Sequence, residues 1–120
     1  GDGCFLMNGT DVATAAELKL PIVWIVNVNG QLGMIHYEQR ASGFTRSSEL
    51  GLCDYTKIAE GLGACGIRCD DTSELPIHIA HGLRSNGPTV IQVNVDPAPM
   101  PPLGRKKAGG ARWKEYVASI

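Results

Sequence analysis

Apolar residues along the chain alternate between helix-spaced stretches and short continuous runs. From Met7 to Leu18, Val12, Ala15, Ala16 and Leu18 share one side and predict a helix, stopped by Pro21. The run "IVWIVNV" (22–28) is rich in β-branched residues and barely alternates. It predicts a strand covered on both faces, in the middle of a parallel sheet. Residues 28–33 then form a loop with Asn29, Gly30 and Gly33, and the polar stretch from His36 to Leu52 predicts a helix followed by loop. The second half repeats the alternation. Asp54 caps a helix running through Leu62, with Tyr55, Ile58, Ala59 and Leu62 on one side. "CGIRC" (65–69) is a short strand, Ser73 to Ser85 a helix capped by Asp71 or Thr72, and "PTVIQVNV" (88–95) a strand ended by the Asp96–Pro97 turn. Strands separated by single helices predict right-handed βαβ units and an α/β fold with a parallel sheet.

From Pro97 the pattern is lost. Pro97, Pro99, Pro101 and Pro102 oppose regular structure, and "GRKKAGGAR" is basic and glycine-rich. A short helix is expected only from Trp113 to Ile120, and Arg105, Lys106 and Lys107 read as solvated charges.

Composition narrows the class. The 120 residues suffice for one core, and 43% hydrophobic with 19% charged residues suits a soluble globular chain. The net charge of −1 offers no broad basic field for nucleic acid or anionic lipid. The longest apolar run, Leu20 to Val26, is too short to cross a bilayer. No signal peptide is visible, and an initiator methionine is missing, as in a processed chain or a piece of a longer one. Cys4, Cys53, Cys65 and Cys69 contain no C-x-x-C pair and read as reduced thiols, placing the protein in the cytoplasm or an organelle matrix.

Chemistry gathers at two places. In open α/β sheets ligands bind where strands pass at their carboxyl ends into helices, and both "GDG" (1–3) and "VNGQ" (28–31) sit at such places. If their strands are neighbours, Asp2 and Asn29 meet at one rim. A carboxylate and an amide oxygen are hard donors suited to Mg²⁺ or Ca²⁺, and Mg²⁺ completes its octahedron with waters and ligand phosphates. Glycines beside Asp2 admit a phosphate, and the following helix start offers free N–H groups. The residues therefore point to a Mg²⁺-bridged diphosphate site, although each turn alone would be an ordinary surface turn. His78 and His81, three apart, have no acid or cysteine completing a metal set and are expected on an exposed helix face. His36 and Glu38, just after "LGM", lie where a side chain could touch a substrate.

"GDG", a spacer of 24 residues (4–27), and a pair ending in asparagine together resemble the thiamin diphosphate (ThDP) signature of ThDP-dependent enzymes. "GDGCFLMN…ATA…KLPIVWIVNVNGQLGM", "DYTKIAEGLGACGIRC" and "GPTVIQVNVDP" resemble the C-terminal pyrophosphate-binding domain of the acetolactate synthase branch, over residues 1 to about 97. The resemblance implies a three-layer parallel-sheet ThDP-binding fold, truncated at its N-terminus, with 98–120 as a separate Pro/Gly-rich tail. It implies Asp2 and Asn29 as Mg²⁺ ligands, with the backbone carbonyl of Gln31 as a third. Gly1, Gly3 and Cys4 fall beside the diphosphate, and Leu32, Gly33 and Met34 beside the cofactor. It implies an enzyme that decarboxylates 2-keto acids such as pyruvate and then joins carbon units. The acting glutamate and the pyrimidine pocket would come from another domain, of a partner subunit, so no catalytic residue falls in this segment and alone it would be inactive. The use of FAD, the acceptor, and a homodimeric or homotetrameric assembly stay open. So do decarboxylase, pyruvate oxidase and 2-hydroxyacyl-CoA lyase activities, or a non-catalytic module of the same fold. Two departures stand out: Val28 replaces the first of the usual two asparagines, and Glu38 a tryptophan of synthases that select 2-ketobutyrate.

Overall fold

The computed structural model describes residues 1–41, 43, 48–51 and 53–98. The expected 113–120 helix and the Arg105–Lys107 cluster lie outside them. The elements are α1 (Asp2–Asn8), α2 (Asp11–Glu17), β1 (Val23–Val28), α3 (Gly33–Ala41), α4 (Tyr55–Gly61), β2 (Cys65–Cys69), a 3-10 turn (Thr72–Glu74), α5 (Leu75–Arg84) and β3 (Thr89–Asn94). The three strands are parallel in the order β1–β3–β2, with Val23 opposite Thr89 and Cys65 opposite Thr89 on the other edge.

β3 is the central strand, and its alternation builds the two halves of the core. Val90 faces Phe5, Val12, Val26, Tyr55, Ala59 and Ala64 on the side of α1, α2 and α4. Ile91 and Val93 face Cys69, with Val23, Ile67, Leu75 and Ile79 packed around them on the side of α5. Helices thus cover both faces, giving the three-layer α/β arrangement. Among the three described strands central burial belongs to β3, while the apolar run had placed β1 in the middle of a sheet. β1 lies at an edge of the described sheet, where α5 covers Val23 through Gly82 but leaves Ile25 43% exposed.

The single helix expected over 7–18 is two helices. The first begins at Asp2, whose charge suits the positive end of a helix dipole. Asn8, Gly9 and Thr10, all weak helix formers, break it. Gly9 is required there, since a β-carbon would fall 2.5 Å from the Phe5 carbonyl oxygen. α2 stops at Glu17, before Pro21 acts. Lys19 N–H bonds Ala16 O at 3.1 Å and Leu20 N–H bonds Ala15 O at 2.9 Å, a Schellman closure that forces Lys19 to φ 52°. α4 closes the same way through Gly63 at φ 84°, the residue type this geometry favours. Lys19→Gly should therefore raise stability by about 1 kcal/mol, because a β-carbon in the left-handed region costs about that much. A thermal midpoint at or below the parent's would show that the lost chain entropy outweighs the relieved strain.

Asp54 caps α4 as expected, accepting the N–H groups of Thr56 and Lys57 at 3.1 and 3.2 Å. The Thr56 hydroxyl bond comes first among the causes that hold its carboxyl below the usual range. Asp71 caps the 3-10 turn, and α5 proper starts only at Leu75, with Pro76 in its first turn. The four cysteines are free thiols. Among the described residues no helix is long and apolar enough to cross a membrane.

Candidate functional site

Asp2 sits in the first turn of α1, yet its side chain is 2% exposed because α1 starts against the carboxyl end of β1. Three backbone N–H groups converge on its carboxylate. Gly3 donates to Oδ1 at 2.9 Å, and Asn29 and Gly30 donate to Oδ2 at 3.1 and 2.7 Å. Charge-assisted bonds of this kind satisfy a buried carboxylate without a cationic partner. They also join two segments 27 residues apart in sequence, so the rim inferred from topology exists.

The loop after β1 is shaped for this approach. Asn29 Oδ1 accepts the Gln31 N–H at 3.2 Å, closing an Asx turn, and Gly30 takes φ 69° with open space where a side chain would stand. Leu32 N–H donates to Ser48 O at 2.7 Å and Leu50 N–H to Gly30 O at 2.8 Å, pairing Gln31 with Glu49 in a one-residue antiparallel bridge. Gly3 is buried beneath this loop, and a β-carbon on it would come 2.5 Å from Leu32 Cδ2. Glycine there lets the loop close over the first turn of α1. Gly33 opens α3 near Asn29, with its β-carbon position 3.4 Å from Asn29 Nδ2.

The remaining expected residues separate. Gly1 and Cys4 are exposed on the rim, and Cys4 faces a hollow of about 220 Å³ between α1 and β1. Met34 is 80% exposed, an apolar side chain held at the surface by α3. His36 is engaged through Nδ1 with Ser48 Oγ at 3.0 Å, and Glu38 is exposed. Of the two histidines on α5 only His81 is exposed. His78 is partly covered, with Nε2 buried 3.7 Å from a Glu74 carboxylate oxygen one turn earlier, which corrects the expectation of a fully exposed pair. The hollow of about 530 Å³ along α5, lined by Pro76, Ile77, Ala80, His81 and Arg84, shares no residue with the rim.

A cleft of about 340 Å³ opens beside Asp2, and most of its lining escaped the sequence reading: Cys53, Tyr55, Arg68, Gln92 and Asn94. Gln92 is 4% exposed; its Oε1 accepts the Tyr55 N–H at 2.9 Å and its Nε2 donates to Asn94 Oδ1 at 3.2 Å. The signal was present as "VIQVNV", where two amides two apart must share one face of an otherwise apolar strand. Tyr55 is 1% exposed and stacks edge-on against Phe5 at 5.8 Å. Burial, with the negative charge of Asp2 nearby, pushes its phenol up to about 12. The native state thus keeps this proton from pH 10 to 12 while the unfolded chain releases it, so stability falls across that window. At about 1.4 kcal/mol per unit the loss approaches about 2–3 kcal/mol. Tyr55→Phe should remove this component. Chemical denaturation at pH 9 and pH 11.5 measures it, and equal losses in parent and variant would contradict the assignment.

What the rim can hold follows from its donors. Among the described residues no three His, Cys, Asp or Glu side chains cluster, so a zinc-type site has no basis there. One carboxylate, one side-chain amide oxygen and nearby backbone carbonyls are instead a hard oxygen set that fits Mg²⁺ carrying waters and phosphate oxygens. The chain is thus an α/β protein with a buried acid at the carboxyl rim of a parallel sheet, facing a glycine-rich loop.

A family model described as thiamine pyrophosphate enzyme, C-terminal TPP binding domain, matches residues 1–93. The acetolactate synthase of Bacillus subtilis (strain 168) is 35% identical over 97 residues, 80% of this chain and 17% of its own length. A putative thiamine pyrophosphate-containing protein of the same organism is 38% identical over 119 residues, 98% of this chain and 21% of its own. Among solved structures, the thiamine diphosphate-dependent 4-hydroxybenzoylformate decarboxylase of Rhodococcus jostii RHA1 superimposes with a TM-score of 0.74 at 26% identity, over 80% of this chain and 19% of that one. The chain belongs to the C-terminal TPP-binding domain family of thiamine pyrophosphate enzymes and is similar to acetolactate synthases. It spans about a fifth of the length of these relatives.

Proposed function

We propose that this chain is the diphosphate- and Mg²⁺-holding part of a ThDP-dependent enzyme acting on 2-keto acids, with acetolactate synthase-like decarboxylation and carboligation. The observation that carries the reading is the pair of bonds from Asn29 and Gly30 to buried Asp2, which brings both halves of the signature to one rim. Asp2, Asn29 Oδ1 and the Gln31 carbonyl would hold the metal. The rim at Gly1, Gly3 and Cys4 would face the diphosphate, with Leu32, Gly33 and Met34 beside the cofactor. When bound, ThDP supplies the electron sink for cleavage next to a carbonyl. The task of this chain is to bind and orient it and to neutralise the diphosphate charge through the metal. Residues 1–97 form the domain in this reading, and 98–120 a separate basic segment. The pyrimidine site and the proton-transferring groups would come from the rest of the polypeptide and a partner subunit in a homodimer or homotetramer, in the cytoplasm or an organelle matrix.

The similarity to acetolactate synthases supports carboligation, and Glu38 argues against a 2-ketobutyrate preference. The test uses the full-length protein with ThDP, Mg²⁺ and pyruvate, following pyruvate loss and acetolactate together. Acetolactate formation is expected. CO₂ release without acetolactate would replace the synthase by a decarboxylase, binding without turnover of any 2-keto acid would favour a non-catalytic module, and no ThDP binding at millimolar cofactor would sink the assignment.

A further inference from the structure

Two side chains from different elements converge on one acceptor beside the rim. The Gln31 side-chain amide donates to the Pro97 carbonyl oxygen at 3.3 Å, and the Tyr37 hydroxyl, on α3, donates to the same oxygen at 2.6 Å. Pro97 has no N–H, so its carbonyl is its only polar backbone group, and the two donors match the two lone pairs. The carbonyl is itself well fixed. Val95 N–H bonds Val28 O at 3.0 Å just beyond the paired strands, and Asp96 Oδ1 accepts the Ala98 N–H at 2.8 Å. Pro97 thus sits in the Asp96-closed turn that follows the central strand.

The loop tied to that carbonyl is the one carrying Asn29 and Gln31. Its bridge to Glu49 uses the flanking groups of Gly30 and Leu32, so Gln31 occupies a pair whose own N–H and C=O point away from the 48–50 segment. The Gln31 N–H goes to Asn29 Oδ1. The peptide that would offer the Gln31 carbonyl to the metal is held at its own N–H, from Leu32, by Ser48 O. The peptide before it is held by the Asx turn, and the Gln31 side chain ties the residue between them to Pro97. Between Gly30, at φ 69°, and Gly33 the backbone has little stiffness of its own.

We propose that the Gln31 side chain and Tyr37 are positioning residues for the metal site, clasping the Pro97 carbonyl so that the Gln31 peptide keeps the orientation Mg²⁺ requires. This rests on the Mg²⁺–diphosphate reading and adds a selectivity mechanism to it. Mg²⁺ demands near-ideal octahedral geometry at short distances, whereas Ca²⁺ accepts irregular coordination. A loosened clasp should penalise Mg²⁺ far more than Ca²⁺, which a general loss of folding would not do.

The experiment titrates ThDP uptake by the full-length protein with Mg²⁺ and separately with Ca²⁺, for the parent, Tyr37→Phe, Gln31→Met and the double variant. Removing partners of metal ligands typically weakens binding about 10- to 100-fold, and these exposed bonds belong at the low end. About a tenfold rise in the Mg²⁺ requirement and at most about a threefold rise for Ca²⁺ are expected, with the double variant no worse than Gln31→Met. Hydrogen exchange on the metal-free protein should quicken at the Gln31 and Leu32 amides and not at Val90–Val93. An unchanged Mg²⁺-to-Ca²⁺ ratio in both single variants, unchanged exchange at Gln31 and Leu32, or multiplicative effects in the double variant would overturn the clasp while leaving the metal site standing. Failure of the parent to take up ThDP with either metal would remove the underlying reading and the clasp with it.

Discussion

Asp2→Ala is expected to abolish measurable ThDP–Mg²⁺ binding under conditions that saturate the parent, a loss of about 100-fold or more, beyond that of removing a ligand's hydrogen-bond partner. Two effects act together. The variant loses the only acidic side chain among the proposed metal donors, and it strips the acceptor from the N–H groups of Gly3, Asn29 and Gly30. Donors left unpaired in a buried site cost about 1–3 kcal/mol, so the loop should loosen even without ligand. The core should survive, because Phe5, Val12, Tyr55 and Val90 pack without contribution from the carboxylate. Asp2→Asn separates the effects: it keeps an oxygen for the loop amides but removes the charge. It should hold the thermal midpoint closer to the parent's while still losing most metal-dependent affinity. Calorimetric titration of the full-length variants decides this, and parent-like affinity in Asp2→Ala would show that the metal assignment is wrong.

Gly66→Val should be the most destabilising substitution away from the rim. Strand β2 lies so close to α4 that a β-carbon at Gly66 would stand 2.5 Å from the Thr56 carbonyl oxygen and 2.8 Å from its Cα. These are backbone atoms in the first turn of α4 and cannot rotate aside. Valine favours strands, which offsets the clash by up to about 1 kcal/mol. Overpacking against fixed atoms costs about 1–3 kcal/mol for small insertions, and the two further methyls of valine add to it. The clash wins, and displacing α4 would also disturb Tyr55 and Ala59 in the core. A drop in thermal midpoint on the order of 10 °C is expected for a domain of this size. Gly61→Ala, which meets nothing within 4 Å and lies in the last turn of α4, is the control. It should leave the midpoint unchanged or raise it by a few degrees, since alanine is the better helix former. A parent-like midpoint for Gly66→Val would show that α4 can move off the sheet at small cost.

The strands and most helices were legible because burial imposes its period directly on the sequence. The sequence pattern marks β2 to the residue and β1 and β3 to within one, and the Asp54 cap with the spacing of Tyr55, Ile58, Ala59 and Leu62 marks α4. The first helix was misplaced for a physical reason. Gly1–Asp2–Gly3 has the composition of a turn, and helix starts in such a sequence are set by what the first N–H groups and the carboxylate find around them. Asp2 finds the amides of Asn29 and Gly30, which only the fold supplies. The exposed face assigned to His78 failed similarly, since three-residue spacing fixes the mutual direction of two side chains but not how far a neighbouring acid covers one of them.

Residue chemistry, hydrophobic period and motif spacing are local properties of the chain, and they suffice to mark a parallel α/β domain and to single out Asp2 and Asn29. It took the folded chain to show that the two share one hydrogen-bonded rim, that β3 is the middle one of the three described strands, and that Tyr55, Gln92 and the Pro97 carbonyl stand beside that rim. Those facts depend on which strands pair and on which distant groups satisfy a buried polar atom. No pattern within one segment records such contacts, because they form only after sheet order has brought the segments together.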